Sequence, residues 1–151
     1  MDRVGASSTA DGAFLGGILM AAYAAMQFIG SPVIGGLSDS FGRRPVLILS
    51  LAALVVDYVI MALADTFALL LIGRLLAGLA GASYVTAMAY LADISTPEER
   101  SAKFGLVGAT FGVGFIIGPA LGGLVAGWSL SAPFWLAAAF SAVNVLFGLF
   151  V

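Results

Sequence analysis

The sequence predicts an all-α integral membrane protein with five membrane-crossing helices, and three observations carry that prediction. Of 151 residues, 62% are apolar and only 9% charged, against roughly 25% charged in an ordinary soluble domain. Six Lys and Arg with eight Asp and Glu are too few to coat a wetted surface. Those few charges also cut the chain into apolar stretches of about 20 residues, the length a helix needs to cross about 30 Å of hydrocarbon. Cysteine and histidine are both absent, which excludes disulfides, Cys/His metal centres and Cys- or His-based catalysis. The net charge of −2 comes without a basic cluster, so a nucleic-acid partner, which needs Lys and Arg on its phosphates, is excluded too. No catalytic constellation is visible, and an enzyme is not expected. Transport, or a structural role in a bilayer, remains.

The first span runs from about Ala13 to Gly35. It follows a short polar leader, but its apolar run exceeds the 7–15 residues of a signal-peptide core and further spans follow, so it reads as a membrane helix. The turn after it ends in Phe41-Gly42-Arg43-Arg44-Pro45. Gly42 permits the positive φ of a tight reversal, and Pro45 suits the first turn of the next helix. The second span covers Val46 to Ala64 and the third Phe67 to Leu91, an antiparallel hairpin about the Asp65–Thr66 turn. Thr96-Pro97-Glu98-Glu99 reads as a capping box with Pro97 at the first helical position. It opens the helix of the fourth span, Phe104 to Gly127, and after the Trp128–Pro133 turn the fifth span runs from Phe134 to Val151.

Arg43 and Arg44 follow the first span, and Arg100 and Lys103 the third. By the positive-inside rule those loops are cytoplasmic, which places Met1, the Asp65–Thr66 turn and the Trp128–Pro133 turn outside, with Trp128 and Trp135 near the outer interface. An outside amino terminus without a preceding span, and a fifth span without a polar flank, are expected of a piece of a longer protein.

Four groups of residues need a reason to be where they are. Asp57 and Arg74 are charges inside spans, where each costs roughly 2.5–3.5 kcal/mol on insertion scales and is usually paired or lines a watered cavity. Both lie about eight residues from the hairpin turn, hence about 12 Å below the outer surface, so they are placed to pair. The pair either holds the hairpin in register or lies on a proton or substrate path. Tyr23 and Gln27, four residues apart, share a face of the first span; they suit either a cavity for a polar, ring-bearing ligand or an interhelical hydrogen bond.

Glycines form the third group. Gly73, Ala77 and Gly81 in the third span, and Gly108, Gly112, Gly114, Gly118, Gly122 and Gly123 in the fourth, make small-residue stripes that let helices approach closely. Pro119 removes one helical hydrogen bond and is expected to kink the fourth span or let it bend there. A dinucleotide-binding reading of these glycines fails on spacing and on the absence of a preceding strand. The fourth group is the cytoplasmic turn: Asp39 lies one helical turn from Arg43, and Asp93, ending the third span, is available to Arg43 across the same face.

Taken together, these residues resemble a known family. The segment Gly35-x-Leu37-x-Asp39-x-Phe41-Gly42-Arg43-Arg44 is similar to the signature loop between helices two and three of the major facilitator superfamily. Gly114-x3-Gly118-Pro119-x2-Gly122-Gly123 resembles its antiporter motif in helix five, and Leu71-Ile72-Gly73-Arg74-x3-Gly78 its helix-four motif, whose arginine is implicated in proton coupling. With Tyr23-x3-Gln27, Val56-Asp57-Tyr58 and Tyr90-Leu91-Ala92-Asp93, the likeness is strongest to the bacterial tetracycline/proton antiporter branch.

The resemblance implies that the spans are helices two to six of the amino-terminal lobe of a twelve-helix transporter, with helix one and the second lobe missing. It implies Asp39 and Arg43 in an inward gate, Asp57 and Arg74 as intramembrane charges needed for activity, and Gln27 lining a drug site. It further implies a drug substrate, protons as coupling ion in place of a bound cofactor, and a bacterial inner-membrane location. One departure is Ser40, where the family usually carries a basic residue, leaving the gate one charge short. A sugar or metabolite transporter, and a nonfunctional truncation or structural membrane protein, are the competing expectations.

Overall fold

The computed structural model describes residues 8–150. Met1, Arg3 and Val151, for which the sequence carries expectations, lie outside the described residues. Six helices follow in order: α1 (Thr9–Phe41), α2 (Arg43–Leu63), α3 (Phe67–Gly81), α4 (Ser83–Asp93), α5 (Pro97–Ala126) and α6 (Ala132–Phe150). No strand occurs among the described residues.

Local chemistry sets the helix ends. Ser8 Oγ accepts from the Asp11 N–H at 3.1 Å, and Asp11 complements the positive end of the α1 dipole. Gly42, with φ of 93°, is the sole residue between α1 and α2. A side chain is strained at that φ, so glycine makes so abrupt a reversal possible. Thr66 Oγ1 caps α3 by accepting from the Leu69 N–H at 3.4 Å. At α5 the Thr96 N–H donates to Glu99 Oε2 at 3.4 Å, and Lys103 Nζ holds the same oxygen at 3.0 Å.

Two features depart from the sequence expectation. The third span is broken at Ala82 into α3 and α4, and its helix continues to Asp93. Helix α1 extends beyond the predicted span at both ends, because helical hydrogen bonding continues into polar sequence where hydropathy has already fallen. Both internal prolines, Pro32 and Pro119, sit within otherwise continuous helices.

Five helical segments, with α3 and α4 counted as one, are long and apolar enough to cross a membrane. Helix α2 packs most extensively on α6, and α1 on α3, with α2 and α3 forming the hairpin between those two layers. The interior consists mainly of small or polar side chains: Ala77, Ala80, Ala82, Ala138, Ser38, Ser50, Asp57 and Thr86 are buried, with Val46 beside them. Bulky groups point outward, Phe28 at 83% and Phe115 at 78% exposure. This inversion of a soluble core is expected where lipid solvates the large side chains and helix contact depends on close backbone approach. The chain is a multi-pass membrane protein.

Candidate functional site

The α2–α3 hairpin brings Asp57 and Arg74 together. Arg74 Nη2 donates to Asp57 Oδ2 at 3.1 Å, with the Asp57 side chain fully buried and that of Arg74 25% exposed. Gly73 makes this approach possible: a Cβ there would lie 2.9 Å from Asp57 Oδ1 and 3.2 Å from Met61 Sδ. The pair is incompletely satisfied. Asp57 Oδ1 and Arg74 Nε are buried without a hydrogen-bond partner among the described residues, as is, separately on α4, Thr86 Oγ1. A buried polar atom left unpaired costs about 1–3 kcal/mol, so this is a polar centre with bonding capacity in reserve.

Tyr23 and Gln27 lie against the same layer. Gln27 Nε2 donates to the Gly81 carbonyl at 3.3 Å, just before the break at Ala82. A Cβ on Gly81 would meet Tyr23 Oη at 2.9 Å and Gln27 Nε2 at 3.1 Å. Gln27 thus makes an interhelical hydrogen bond, with the Tyr23 hydroxyl beside it. Gly78 faces the Tyr23 backbone and, at 2.8 Å from its ideal Cβ, Met26 Cβ. Gly30 on α1 faces Leu79 and Ala82 in return.

A second cluster gathers at the α1–α2 turn. Arg43 pairs with Asp39 one helical turn before it and, through Nε, with Asp93 Oδ2 at 3.2 Å. Its Nη1 also donates to Ser38 Oγ at 2.8 Å, and Ser38 Oγ donates in turn to the Gly35 carbonyl at 2.7 Å. One guanidinium thus ties the end of α1, the start of α2 and the end of α4 together. Arg44 points elsewhere: Nη2 donates to the Gly148 carbonyl at 2.9 Å and to that of Leu149 at 3.3 Å, and Nε to Gly148 at 3.2 Å.

Helix α5 is arranged differently. None of its residues is buried, and nothing lies within 4 Å of a Cβ built on Gly114, Gly118, Gly122 or Gly123. The close approach is made by the α3 glycines among the described residues, while the main neighbours of α5 there are α4 and α6.

Sequence reasoning missed Thr86, Ser38 and the Arg44 contact with α6. A small hydroxyl between Gly35 and two arginines was the available signal for Ser38. Nothing local points to the other two.

Residues 4–151 match the family described as Major Facilitator Superfamily. Over 135 residues the chain is 50% identical to the tetracycline resistance protein, class C, of Escherichia coli, a match covering 89% of this chain and 34% of that protein. It is 49% identical over 122 residues to the class G tetracycline resistance protein of Vibrio anguillarum, covering 81% and 31% respectively. Multidrug resistance protein 2 of Bacillus subtilis is 38% identical over 136 residues, covering 89% and 34%. The chain spans about a third of the length of these curated relatives.

Proposed function

The chain belongs to the major facilitator superfamily, and we propose that it supplies part of the amino-terminal lobe of a proton-coupled exporter of tetracycline-like or other small drugs. In this reading the five spans are helices two to six of a two-lobed transporter whose lobes rock about a midplane site. The observation that carries it is the buried Asp57–Arg74 pair at 3.1 Å. The names of the relatives, resistance proteins for tetracycline and for multiple drugs, support the substrate class.

Coupling follows from the pair. A proton arriving from the outer face binds the Asp57 carboxylate and cancels its charge. The hold on Arg74 weakens, and the balance between inward- and outward-facing states shifts by the difference in that interaction between them. Tyr23 and Gln27 contribute to the polar wall beside this centre, and Arg43 with Asp39 and Asp93 forms the inward latch. Gly35 gives that latch an acceptor for Ser38. Gly114, Gly118, Pro119, Gly122 and Gly123 let α5 bend and make close contact with a neighbouring helix. The coupling ion is the proton, the partners are the bilayer, the drug and a second lobe of the same protein, and the location is the bacterial inner membrane.

In inverted vesicles containing the intact gene product, Asp57→Asn is expected to abolish tetracycline uptake driven by a proton gradient while the protein inserts at its normal level. Undiminished uptake overturns the assignment.

A further inference from the structure

Two apolar hollows meet on the first turns of α2, away from the ion pair. One, of about 270 Å³, opens between α1, α2 and α3 and is lined by Ile34, Leu37, Leu49, Ala53, Leu76 and Leu79 among others, with Ser50 its single polar side chain. The other is a groove between α2 and α6, lined by Arg44, Pro45, Ile48, Leu49, Ala52 and Leu149. Pro45 and Leu49 belong to both. They lie one helical turn apart on the same face, so the hollows flank a single ridge. Both start at the level of the α1–α2 turn, and the first reaches down to Ala53, about 12 Å deeper at 1.5 Å per residue.

Arg44 stands at the head of this ridge. Its Nε and Nη2 are fixed on the α6 carbonyls, and its Nη1 makes no hydrogen bond among the described residues. The carboxylates nearest in the turn, Asp39 and Asp93, are both held by Arg43; Arg44 forms no ion pair among the described residues. It is an oriented cation at the membrane surface, with donors to spare above two apolar grooves.

We propose that this surface binds one anionic phospholipid, its phosphate accepting from Arg44 Nη1 and one acyl chain lying in each hollow on either side of Pro45 and Leu49. Each half of the site selects against simpler occupants. A soluble anion satisfies the guanidinium and leaves both hollows empty, whereas a single-chain amphiphile fills only one. Arginine suits the head group because its planar fork makes short, charge-assisted bonds to phosphate oxygens, and the basic residues that mark this face as cytoplasmic place it at the leaflet richer in anionic lipid. The bound lipid then bridges α1, α2, α3 and α6 beside the turn. The proposal does not depend on which compound is transported.

The test uses the intact gene product in phosphatidylcholine nanodiscs with rising phosphatidylglycerol, with bound lipid counted by native mass spectrometry. One phosphatidylglycerol is expected to be retained in preference to phosphatidylcholine. Arg44→Gln should lower its apparent affinity about fivefold, the worth of one basic residue near an anionic surface, and Arg44→Lys should recover part of the preference. Ala52→Phe and Ala53→Phe each fill one hollow without touching the guanidinium, and each should also reduce retention; they keep the test decisive if Arg44→Gln fails to insert. Retention unaffected by any of these changes overturns the proposal. So does a loss confined to Arg44→Gln, which is a surface-charge effect alone. Displacement by inorganic phosphate, showing a head-group site without chains, or by tetracycline, showing a substrate pocket, overturns it equally.

Discussion

Gly73, Gly78 and Gly81 on α3 and Gly112, Gly118 and Gly122 on α5 are both sets of small residues in apolar helices, yet the structure treats them oppositely. The α3 stripe is closed: side chains or backbone of α1 and α2 occupy the space a Cβ would take at each position. The α5 stripe is open along its length. The α3 stripe also borders the buried carboxylate and the Gln27 hydrogen bond, whereas no α5 residue is fully buried among the described residues. Small-residue spacing therefore states where two backbones can meet. Among the described residues the stripe that is filled is the one beside Asp57.

Four substitutions separate the closed side of this comparison from the open one, read as unfolding in mild detergent by circular dichroism or tryptophan fluorescence; with no cysteine in the chain, thiol-reactive melting dyes report nothing. Arg74→Leu removes one member of the buried pair and is expected to cost most, about 3–5 kcal/mol, since Asp57 is left uncompensated. A melting curve unchanged within error contradicts the view that α2 and α3 are locked by charge. Gly78→Ala drives a methyl group into the Tyr23 backbone and Met26, an overpacking worth about 1–3 kcal/mol.

Gly112→Ala on the open stripe meets nothing within 4 Å and should stabilise by about 0.5–1 kcal/mol through helix propensity. Destabilisation there in the intact gene product shows instead that another helix covers this face. Gln27→Leu gives up one hydrogen bond to the Gly81 carbonyl and should cost least, about 0.6 kcal/mol.

What the sequence discloses about this molecule depends on the range of the signal. The five apolar stretches are legible because charges interrupt them, and the Asp57–Arg74 contact is legible because both residues are measured from one short turn. The same holds for Arg43 with Asp39, one helical turn apart. The break at Ala82 escapes notice because Gly81-Ala82-Ser83 is as apolar and small as its flanks, and hydropathy does not register a backbone interruption. Thr86 escapes because one threonine in an apolar run looks the same whether it faces lipid or the protein interior, where it is fully buried. The Arg44 contact joins residues 104 and 105 positions apart, and no periodicity reaches that far. The partner of the α5 glycines is not legible for the reason the glycine comparison gives: a stripe specifies a capacity for contact and not its partner.

The single-residue reversal at Gly42 has a mechanical consequence. A loop of several residues would let α1 and α2 tilt independently, but a joint with no slack acts as a stiff elbow. Arg44 then clamps the same elbow to the end of α6, while Arg43 fastens it to the end of α4. Three other helices, α2, α4 and α6, are thereby tied to the end of α1 within the first turn of α2. The charge cluster at this surface works as a linkage, and the place to look for its failure is a glycine that makes no hydrogen bond through a side chain at all.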